Sequence, residues 1–434
     1  MRLRALFLGF AFVLTSPRFA GCAVPSTREA VLEETLHPYS GPTSHGVDTS
    51  TLTGKVMCGY QGWFNCEGDG AERGWTHWTK RRGALAPGNA KIDLWPDVRE
   101  LGADERFRTG FQHADGRVAE VFSSFKKPTV LRHFEWMRAY GIDGAFVQRF
   151  AAQLRDLRAL RHDNTVLAHC REGANRAGRA YALMYDLSGL SAGRIDEVIA
   201  DWRTLRERMH LTADPAYLQH RGKPLVAVWG IGFSDGRAYT LAECRRLVEA
   251  LKEDGCSVML GVPTHWLKLE ADAVKDPVLH EIIALADVLS PWTVGRFGDI
   301  SGIKRHAEKD LLPDMAWCAE GKIDYLPVVF PGFSWHNMYG GPLDQIPRQQ
   351  GRFLWAQFVA AKRAHATMVY VAMFDEVDEG TAIFKITADV PPKGESAFVP
   401  NDATQSDFYL KLTGAGGRLV RGEIPLSDEM PLIK

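Results

Sequence analysis

The stretch MVYVAMFDEVDEGTAIF, residues 368–384, joins an apolar run to a dense group of acidic side chains. Its first part fits a buried strand, and Asp375, Glu376, Asp378 and Glu379 follow directly. Clustered carboxylates of this kind suit a solvated turn at a helix N-terminus, where the helix dipole favours negative charge. They equally suit a strand that delivers an acid pair to a glycosidase active site. The rest of the chain decides between these alternatives.

Further apolar runs of similar length precede this stretch. Near-continuous apolar character is typical of parallel strands that are covered on both faces. Together with residues 368–374 they predict eight strands. The earlier runs are residues 55–60, 144–150, 180–185, 224–229, 256–261, 288–291 and 325–330.

Amphipathic segments separate these runs. Residues 128–140 begin with a proline, place Val130, Phe134 and Met137 on one face, and end at Gly141, as a helix does. Strict alternation of strands and helices predicts an α/β fold, the (β/α)8 TIM barrel, as a single catalytic domain over residues 54–434. A long irregular insertion follows strand 1. The other helical segments are 195–210, 241–253, 303–318, 349–364 and part of 407–434.

The N-terminal residues have the pattern of an export signal. Arg2 and Arg4 precede a short apolar stretch, and FAGC at 19–22 is similar to a bacterial lipobox ending at Cys22. We expect residues 1–22 to be a signal peptide, with a lipid anchor on Cys22 and simple secretion as the alternatives. Residues 23–53 are rich in Ser, Thr and Pro, which predicts a flexible tether. The protein is expected in the periplasm, at the cell surface or outside the cell.

Composition excludes several classes of function. A formal net charge of −1 gives no bulk attraction to nucleic acid or to an anionic surface. There is no P-loop and no H-E-x-x-H motif. Cys58 with Cys66, and Cys244 with Cys256, are spaced closely enough to bridge in an oxidising compartment. We expect mostly buried thiols, with at most one or two disulfides, and no zinc site.

Polar and aromatic residues recur just after the predicted strands. Because barrel strands direct their C-terminal ends towards the active site, these residues are expected to form a groove for a neutral, hydroxyl-rich ligand that stacks on aromatic rings. Core or loop packing is the commoner role of a single Trp, and Asp186 is as well suited to capping a helix as to binding a hydroxyl. His265 and His336 lack ligand-spaced partners for a metal. The substrate-binding candidates are Tyr60, Trp63, Asp186, Trp229, His265, Trp266, Trp292, Trp335, His336 and Asn337.

Glu376 and Glu379 are the predicted catalytic pair, with Asp375 and Asp378 as substrate-binding groups. A helical turn would place the Cβ atoms of the two glutamates roughly 5–6 Å apart. That spacing favours a retaining glycosidase, in which the carboxyl groups are ~5–5.5 Å apart. Crowding is expected to raise one pKa and so separate an acid from a base. Three of these carboxylates also suit Mg²⁺, but no basic rim for a phosphate partner is evident, and we expect no metal and no cofactor.

Residues 374–384, FDEVDEGTAIF, resemble the strand-eight motif N-E-W-H-E-G-T-x-I of glycoside hydrolase family 99, the endo-α-mannosidases and endo-α-mannanases. The resemblance to this family and to the related family 71 covers residues 55–385. Its most specific part is the glutamate pair followed by Gly-Thr. Four other segments contribute to it, namely GYQGWF (59–64), DLWPDVRELG (93–102), GIDGAFVQRF (141–150) and VVFPGFSWHN (328–337).

The resemblance implies a (β/α)8 barrel that hydrolyses an α-linked, mannan-type glycan with retention, through a 1,2-anhydro sugar. In that mechanism Glu376 draws the proton from the sugar 2-hydroxyl. Glu379 acts as the general acid towards the leaving group and then as the base towards water. A carbohydrate substrate, no nucleic acid and a monomeric chain are the expected partners and assembly.

The sequence departs from the family pattern at three places. Asp375 stands in place of Asn, Val377 and Asp378 stand in place of Trp-His, and the third strand ends in Tyr185-Asp186 where the family has a Glu-Pro-Tyr ending. These departures bear on sugar specificity and endo action more than on the glutamates. A surface glycan-binding lipoprotein without hydrolysis, and an α-1,3-glucanase of the family 71 type, are the alternative functions.

Overall fold

The computed structural model describes residues 25–403 and 405–433. The predicted signal peptide and Cys22 lie outside these residues. The strands are β1 (Val56–Tyr60), β2 (Arg106–Gln112), β3 (Val118–Phe122), β4 (Gly144–Phe150), β5 (Ala180–Asp186), β6 (Gln219–His220), β7 (Lys223–Trp229), β8 (Ser257–Pro263), β9 (Val288–Trp292), β10 (Asp324–Tyr325), β11 (Val328–Val329) and β12 (Val369–Val371). The α-helices are α1 (Arg28–Thr35), α2 (Lys127–Tyr140), α3 (Leu157–Ala177), α4 (Ile195–Met209), α5 (Leu241–Glu253), α6 (Val278–Ile283), α7 (Ile300–His306), α8 (Leu312–Glu320), α9 (His336–Tyr339), α10 (Arg352–Arg363) and α11 (Phe408–Arg421).

The central sheet is a parallel barrel in the order β10-β9-β8-β7-β5-β4-β1-β12-β11. The predicted seventh strand, residues 325–330, is split into β10 and β11 around Pro327, which has no N–H for the ladder. β10 pairs with β9, and β11 pairs with β12. Between them, Leu326 N donates to Leu289 O at 2.8 Å, and Tyr370 N donates to Pro327 O at 3.0 Å. Residues 324–329 therefore act as one strand that closes the barrel, and the TIM-barrel prediction is confirmed.

The outer helices follow the predicted alternation, with one break. The segment predicted as a single helix over 303–318 is instead α7, a π-helical turn (Ala307–Leu311) and α8. Pro313 stands in the first turn of α8, where its missing N–H and its ring disfavour a continuous α-helix. α6, between β8 and β9, has only six residues. The helices cover the outer face of the barrel, which leaves the ends of the strands accessible for a functional site.

Residues expected to form a flexible tether are packed on the barrel. α1 begins after Thr27, whose hydroxyl accepts from Ala30 N at 3.2 Å, and it buries Val31 and Leu32 against α3. Further along, Gln219 N donates to the backbone oxygen of residue 49 at 2.7 Å. The tether prediction is therefore wrong for the described part of residues 23–53. The Ser, Thr and Pro content of this segment favoured a flexible tether. The apolar pair Val31 and Leu32 indicates a packed helix only when α3 is known to lie beside it.

The insertion after β1 covers part of the C-terminal end of the barrel. It contains the antiparallel hairpin β2–β3 and several irregular turns. Trp78 and Trp95 are fully buried inside it. Asp93 N and Leu94 N both donate to Val377 O at 3.0 Å. These bonds connect the insertion to residues 372–381, which follow β12 and are called the acidic loop. The predicted insertion is confirmed, and it forms one wall of the site described below.

The cysteines of the described residues are all buried free thiols. Neither Cys58 with Cys66 nor Cys244 with Cys256 is bridged. Burial raises the pKa of all of these thiols, which disfavours the reactive thiolate. Within residues 25–403 and 405–433, no helix has the length and apolar character needed to cross a bilayer.

Candidate active site

The acidic loop after β12 is a tight turn fastened to the barrel. The peptide bond between Ala372 and Met373 is cis. Thr381 N and Ala382 N both donate to Glu376 O, at 3.2 and 3.0 Å, so the loop closes on itself. The helical turn predicted between Glu376 and Glu379 is not formed. The two glutamates are instead presented by a hydrogen-bonded turn.

Gly380 allows this turn to pack against the loop after β11. Its φ is +71°, and a Cβ added there would lie 2.9 Å from Ser334 N. Ser334 N also donates to Glu379 O at 2.9 Å. Only glycine meets both the backbone conformation and the close approach. The glycine that follows the acid pair in sequence thus fixes the backbone of Glu379.

A cavity of about 580 Å³ lies at the C-terminal ends of the strands, and Glu376 and Glu379 both line it. Its volume is within the range of small-molecule sites. The structure therefore brings the predicted acid pair to one pocket. Of the predicted substrate-binding residues, those that line the same cavity are Trp63, Asp186, Trp229, Trp292 and Trp335.

Aromatic rings form much of the cavity wall. Trp63 is stacked with Phe150 at 5.3 Å between ring centroids, and Trp229 lies edge-on to Trp292 at 5.5 Å. The indole N–H groups of Trp63 and Trp229, and the Gln148 side-chain oxygen, have no hydrogen-bond partner within the described residues. The wall thus combines apolar faces with unused hydrogen-bonding groups, as a sugar site requires.

Glu376 is held by two donors. Gln61 Nε2 donates to its Oε1 and Thr381 Oγ1 donates to its Oε2, each at 2.6 Å. Burial raises its pKa well above the usual value, and the charges of Glu379 and Asp378 add to this. The two hydrogen bonds act in the opposite direction because they stabilise the ionised carboxylate. Glu376 is therefore fixed in orientation beside a second carboxyl group.

Glu379 has a pKa suited to proton transfer near neutral pH. Burial raises it to about 7, and the charge of Asp378 adds to that effect. Lys91 and Trp335 act against the rise. Two carboxyl groups in one buried site resist holding two negative charges. Glu376 and Glu379 together therefore retain a proton near neutrality.

Asp378 faces away from the cavity, towards two basic side chains. Its Oδ2 lies 3.2 Å from His77 Nδ1 and 3.3 Å from Lys91 Nζ. Burial would raise the pKa of Asp378, but the His77 hydrogen bond and the Lys91 charge outweigh it, so the pKa is lowered. Burial lowers the pKa of His77 to about 4. Asp378 is thus a charged neighbour of Glu379 and not the substrate-binding group that the sequence predicted.

Asp375 joins the first and last barrel strands. Its carboxylate oxygens accept from Gln61 N at 2.8 Å and from Gly62 N at 2.9 Å. Burial raises its pKa to about 7 against these hydrogen bonds. Asp375 is fully buried and does not line the cavity. Its position corrects the substrate-binding prediction, because the carboxylate positions Gln61, which in turn holds Glu376.

Asp186 lines the cavity, and its carboxylate also shapes the loop that follows β5. Its Oδ1 accepts from Ser188 N at 2.7 Å, which is the geometry of a local turn. The next helix, α4, begins after Arg194, so Asp186 does not cap it. Burial raises the pKa of Asp186. The structure thus favours the ligand-facing interpretation of this residue over the capping one.

Tyr60 and Trp266 do not reach the cavity. Both side chains are fully buried. The Tyr60 hydroxyl lies 2.9 Å from His133 Nδ1, between the barrel and α2. Trp266 Nε1 donates to Asp314 Oδ2 at 2.9 Å, on the outer side of the barrel near α8. Their predicted role in substrate binding is therefore corrected to core packing.

His336 and Asn337 hold the insertion in place. Asn337 is buried, and its Nδ2 donates to Ile92 O at 2.8 Å. The backbone N–H groups of both residues donate to the Asp93 carboxylate, at 2.6 and 2.8 Å. His336 Nδ1 lies 2.7 Å from Gly341 O. These contacts replace the predicted ligand contacts, because the loop after β11 turns its polar groups towards the insertion.

His265 also lies outside the cavity lining. Its Nδ1 is 2.8 Å from Asp272 Oδ1, and Asp272 also accepts from Arg296 at 2.7 Å. The nearby segment GFSDG, residues 232–236, matches the pattern G-x-S-x-G of serine hydrolases. Ser234 Oγ donates to Ala271 O, however, and no helix begins directly after the serine. This region lacks the strand–turn–helix context of a nucleophile elbow.

Several site residues were not among the predicted ones. Gln61 directly follows β1, and Gln148 is a polar residue inside the apolar strand β4, so position alone could have indicated both. His77 and Lys91 lie in the irregular insertion, where no periodicity exists to place them. Among the described residues, no cluster of three or more His, Cys, Asp or Glu side chains is arranged to hold a metal ion.

No protein-family model and no curated protein matches the chain. Solved structures do match it. The endo-α-mannosidase of glycoside hydrolase family 99 from Bacteroides thetaiotaomicron superposes with a TM-score of 0.62 over 86% of this chain and 100% of that chain, at 15% identity. This chain has the same fold. A second structure of that enzyme, in complex with bis-tris-propane, gives a TM-score of 0.61 over 86% and 99% of the chains at 16% identity.

A glycoside hydrolase-like protein is also similar, with a TM-score of 0.51 over 88% of this chain and 98% of that chain, at 12% identity. The resemblance to family 99 noted in the sequence is therefore matched at the level of the fold. Sequence identities this low carry the architecture and not the chemistry.

Proposed function

We propose that this protein is an exported, retaining glycoside hydrolase that cleaves an α-linked glycan of the mannan type or a related one. The observation that carries the proposal is the position of Glu376 and Glu379. Both line one aromatic-walled cavity at the C-terminal ends of the barrel strands. A pair of carboxyl groups flanking a sugar-sized cavity is the common requirement of glycosidases.

Glu379 is the proposed general acid. Its pKa of about 7 leaves a proton available near neutral pH, because burial and Asp378 disfavour its charged form. A general acid works best when its pKa lies close to the operating pH. It would protonate the oxygen of the leaving sugar as the glycosidic bond breaks. It would then take a proton from the water that completes hydrolysis.

Glu376 is the proposed base. The donors Gln61 and Thr381 orient its carboxylate and stabilise its ionised form, against the burial that raises its pKa. In the mechanism implied by the resemblance to family 99, Glu376 takes the proton of the sugar 2-hydroxyl as O2 attacks C1. The resulting 1,2-anhydro sugar is opened by water, and Glu376 returns the proton to O2. Two inversions at C1 give net retention.

A screen of the purified protein against linkage-defined α-glycans would test this function, with products followed by NMR. We expect the α-anomer to appear first from an α-linked substrate. Glu379→Gln should abolish turnover and leave the melting temperature near that of the wild type. The matched control is Glu253→Gln, an exposed glutamate at the end of α5. Turnover by the Glu379→Gln variant would refute the assigned role.

The same screen separates the alternatives. Cleavage confined to α-1,3-glucans would indicate a family 71 type activity. Binding without turnover, unaffected by Glu379→Gln, would indicate a glycan-binding protein that lacks hydrolysis. Export and anchoring rest on the sequence of residues 1–22. Mass spectrometry of the mature protein would distinguish a lipid on Cys22 from simple cleavage, and Cys22→Ser should abolish only the lipid.

A further inference from the structure

A second cavity, larger than the first, lies beside the proposed active site. Its volume is about 1040 Å³, and it is open to the surface. The insertion after β1 supplies one side of it, through residues 67–83 and Lys91. The other side is formed by residues 152–159, which run from the end of β4 into the first turn of α3. We call this second cavity the basic groove, for the charges described next.

Cationic side chains dominate the basic groove. Six basic residues line it against three acidic ones, although the whole chain has a net charge of −1. Lys80, Arg81 and Arg82 are exposed, and within the described residues none of them forms an ion pair with a carboxylate. Asp156, one of the acidic residues, already accepts hydrogen bonds from the first N–H groups of α3. The groove therefore has uncompensated positive charge.

The basic groove and the active-site cavity share a wall. Trp63 lines the active-site cavity and His77 lines the groove, and their rings stack at 3.8 Å with an interplanar angle of 8°. Lys91 lines the groove and lies 3.3 Å from Asp378 Oδ2, next in sequence to the proposed acid. The two cavities are therefore neighbours, separated at this point by one pair of stacked rings.

We propose that the substrate is an anionic glycan, with phosphate, sulfate or carboxylate groups that bind in the basic groove beside the cleaved linkage. The proposal rests on the proposed function and specifies its substrate class. Arg81 and Arg82 offer planar guanidinium groups that pair bidentately with such oxyanions. Lys80 adds a point charge. A neutral glycan would offer these cations no ionic partner.

This inference corrects the sequence-based expectation that no basic rim is present. In the sequence, Lys80, Arg81 and Arg82 lie in an irregular loop far from any predicted strand end. A run of exposed charges in a loop is ordinarily a solvated surface. Only the folded insertion places this run next to residues 152–159, and so next to the end of β4. The sequence shows the run of positive charge, but only the structure shows that the run lies beside the active-site cavity.

The test measures binding to the Glu379→Gln variant by titration calorimetry, because this variant is expected not to turn the probes over. The probes are one neutral mannan-derived oligosaccharide and three derivatives of it that carry a phosphate monoester, a sulfate or a uronic carboxylate. We expect at least one charged derivative to bind about tenfold more tightly than the neutral parent at low salt. The advantage should shrink in 0.5 M sodium chloride, because salt screens exposed charges.

A charge-neutralised variant locates the effect. Lys80→Gln, Arg81→Gln and Arg82→Gln together should remove the preference for the charged derivative. The matched control changes Lys304, Arg305 and Lys309 to Gln, which are exposed basic residues on α7 and the following turn. Both variants lose three positive charges, so a general charge effect would appear in both. Only the groove variant should lose the preference.

The outcomes separate this inference from the proposed function. Equal affinity for neutral and charged probes, or an unchanged preference in the groove variant, would overturn the inference while Glu379→Gln still abolishes turnover. Turnover by Glu379→Gln would overturn the proposed function whatever the binding data show. The ranking of the three charged derivatives identifies which anionic group the groove recognises.

Discussion

The acid pair and Asp314 are two buried carboxylate regions with different surroundings. Asp314 lies outside the barrel, where its Oδ2 accepts from Trp266 Nε1 at 2.9 Å and from the Tyr325 hydroxyl at 3.1 Å. Burial raises its pKa to about 8. Burial also raises the pKa of Glu379, to about 7. Burial thus favours the protonated form of both Asp314 and Glu379 near neutral pH, although the two groups lie in unrelated parts of the molecule.

What differs is the access of each carboxyl group to a ligand and to other charges. Asp314 is buried against Trp266 and Tyr325, and it lines neither of the two cavities at the C-terminal ends of the strands. Glu379 lines a cavity and has Glu376, Asp378 and Lys91 around it. A raised pKa therefore reports burial, and it indicates catalysis only where an open cavity and a second titrating group accompany it.

The largest expected contrast is in activity. Glu376→Gln keeps the shape of the side chain but removes the base, so kcat/KM should fall by about 10²–10⁴-fold. Asp314→Asn keeps an acceptor for Trp266 and Tyr325, and should leave kcat/KM unchanged. Steady-state kinetics on a glycan identified in the screen would measure both. Similar losses in the two variants would remove the distinction between the regions.

The next contrast concerns two tryptophans. Trp266→Ala opens a cavity in the outer layer and removes one of the two donors to Asp314, which should lower the free energy of unfolding by about 3–5 kcal/mol. Trp229→Ala removes part of the active-site wall, so it should raise KM with a smaller loss of stability. Urea denaturation and kinetics would be measured on both variants. A raised KM for Trp266→Ala at a temperature where it is folded would contradict its assignment to the core.

Asp314 also predicts a pH dependence of stability. Its folded pKa of about 8 lies above the unfolded value, so its contribution is fully present below about pH 4 and is lost as pH rises to about 8. Within that window the loss is about 1.4 kcal/mol per pH unit at most. Asp314→Asn should therefore gain stability relative to the wild type as pH rises. A constant difference between pH 4.5 and pH 8.5 would show that Asp314 is not protonated in the fold.

The smallest expected contrast is between two buried threonines. Thr381→Val removes a hydrogen bond to the Glu376 carboxylate, and about 1.5 kcal/mol of lost orientation corresponds to roughly tenfold in kcat/KM. Thr413, in α11, has no partner for its hydroxyl within the described residues. Thr413→Val should thus leave activity and stability nearly unchanged. Equal effects in both variants would mean that Thr381 does not act through Glu376.

The sequence was sufficient where one local pattern carried the information. Eight apolar runs with intervening helices are enough for a barrel, since parallel strands must be covered on both faces. Glu376 and Glu379 follow the eighth run directly, so the barrel rule places them at the active end. Both inferences needed only the order of residues along one segment.

The sequence was insufficient where a side chain lies in an irregular segment. Trp229 is the last residue of β7 and lines the cavity, whereas Trp266 lies three residues after the end of β8 and turns outwards. No periodicity fixes the direction of such a loop residue. The groove residues Arg81 and Arg82 depend on how the whole insertion folds. The apolar pair of α1 becomes interpretable only when α3 lies against it. Each of these features depends on contacts between segments that are distant in sequence.

The docking of α1 has a consequence for how the molecule would sit on a membrane. Arg28, at the start of α1, donates to Leu154 O at 2.6 Å, in the segment that borders the basic groove. The chain from a lipidated Cys22 to Arg28 is six residues long, so its fully extended length would be roughly 20 Å at most. The anchor and the substrate entrance would then share one side of the protein. Such an enzyme would work on glycans lying close to the bilayer surface and not on distant ones.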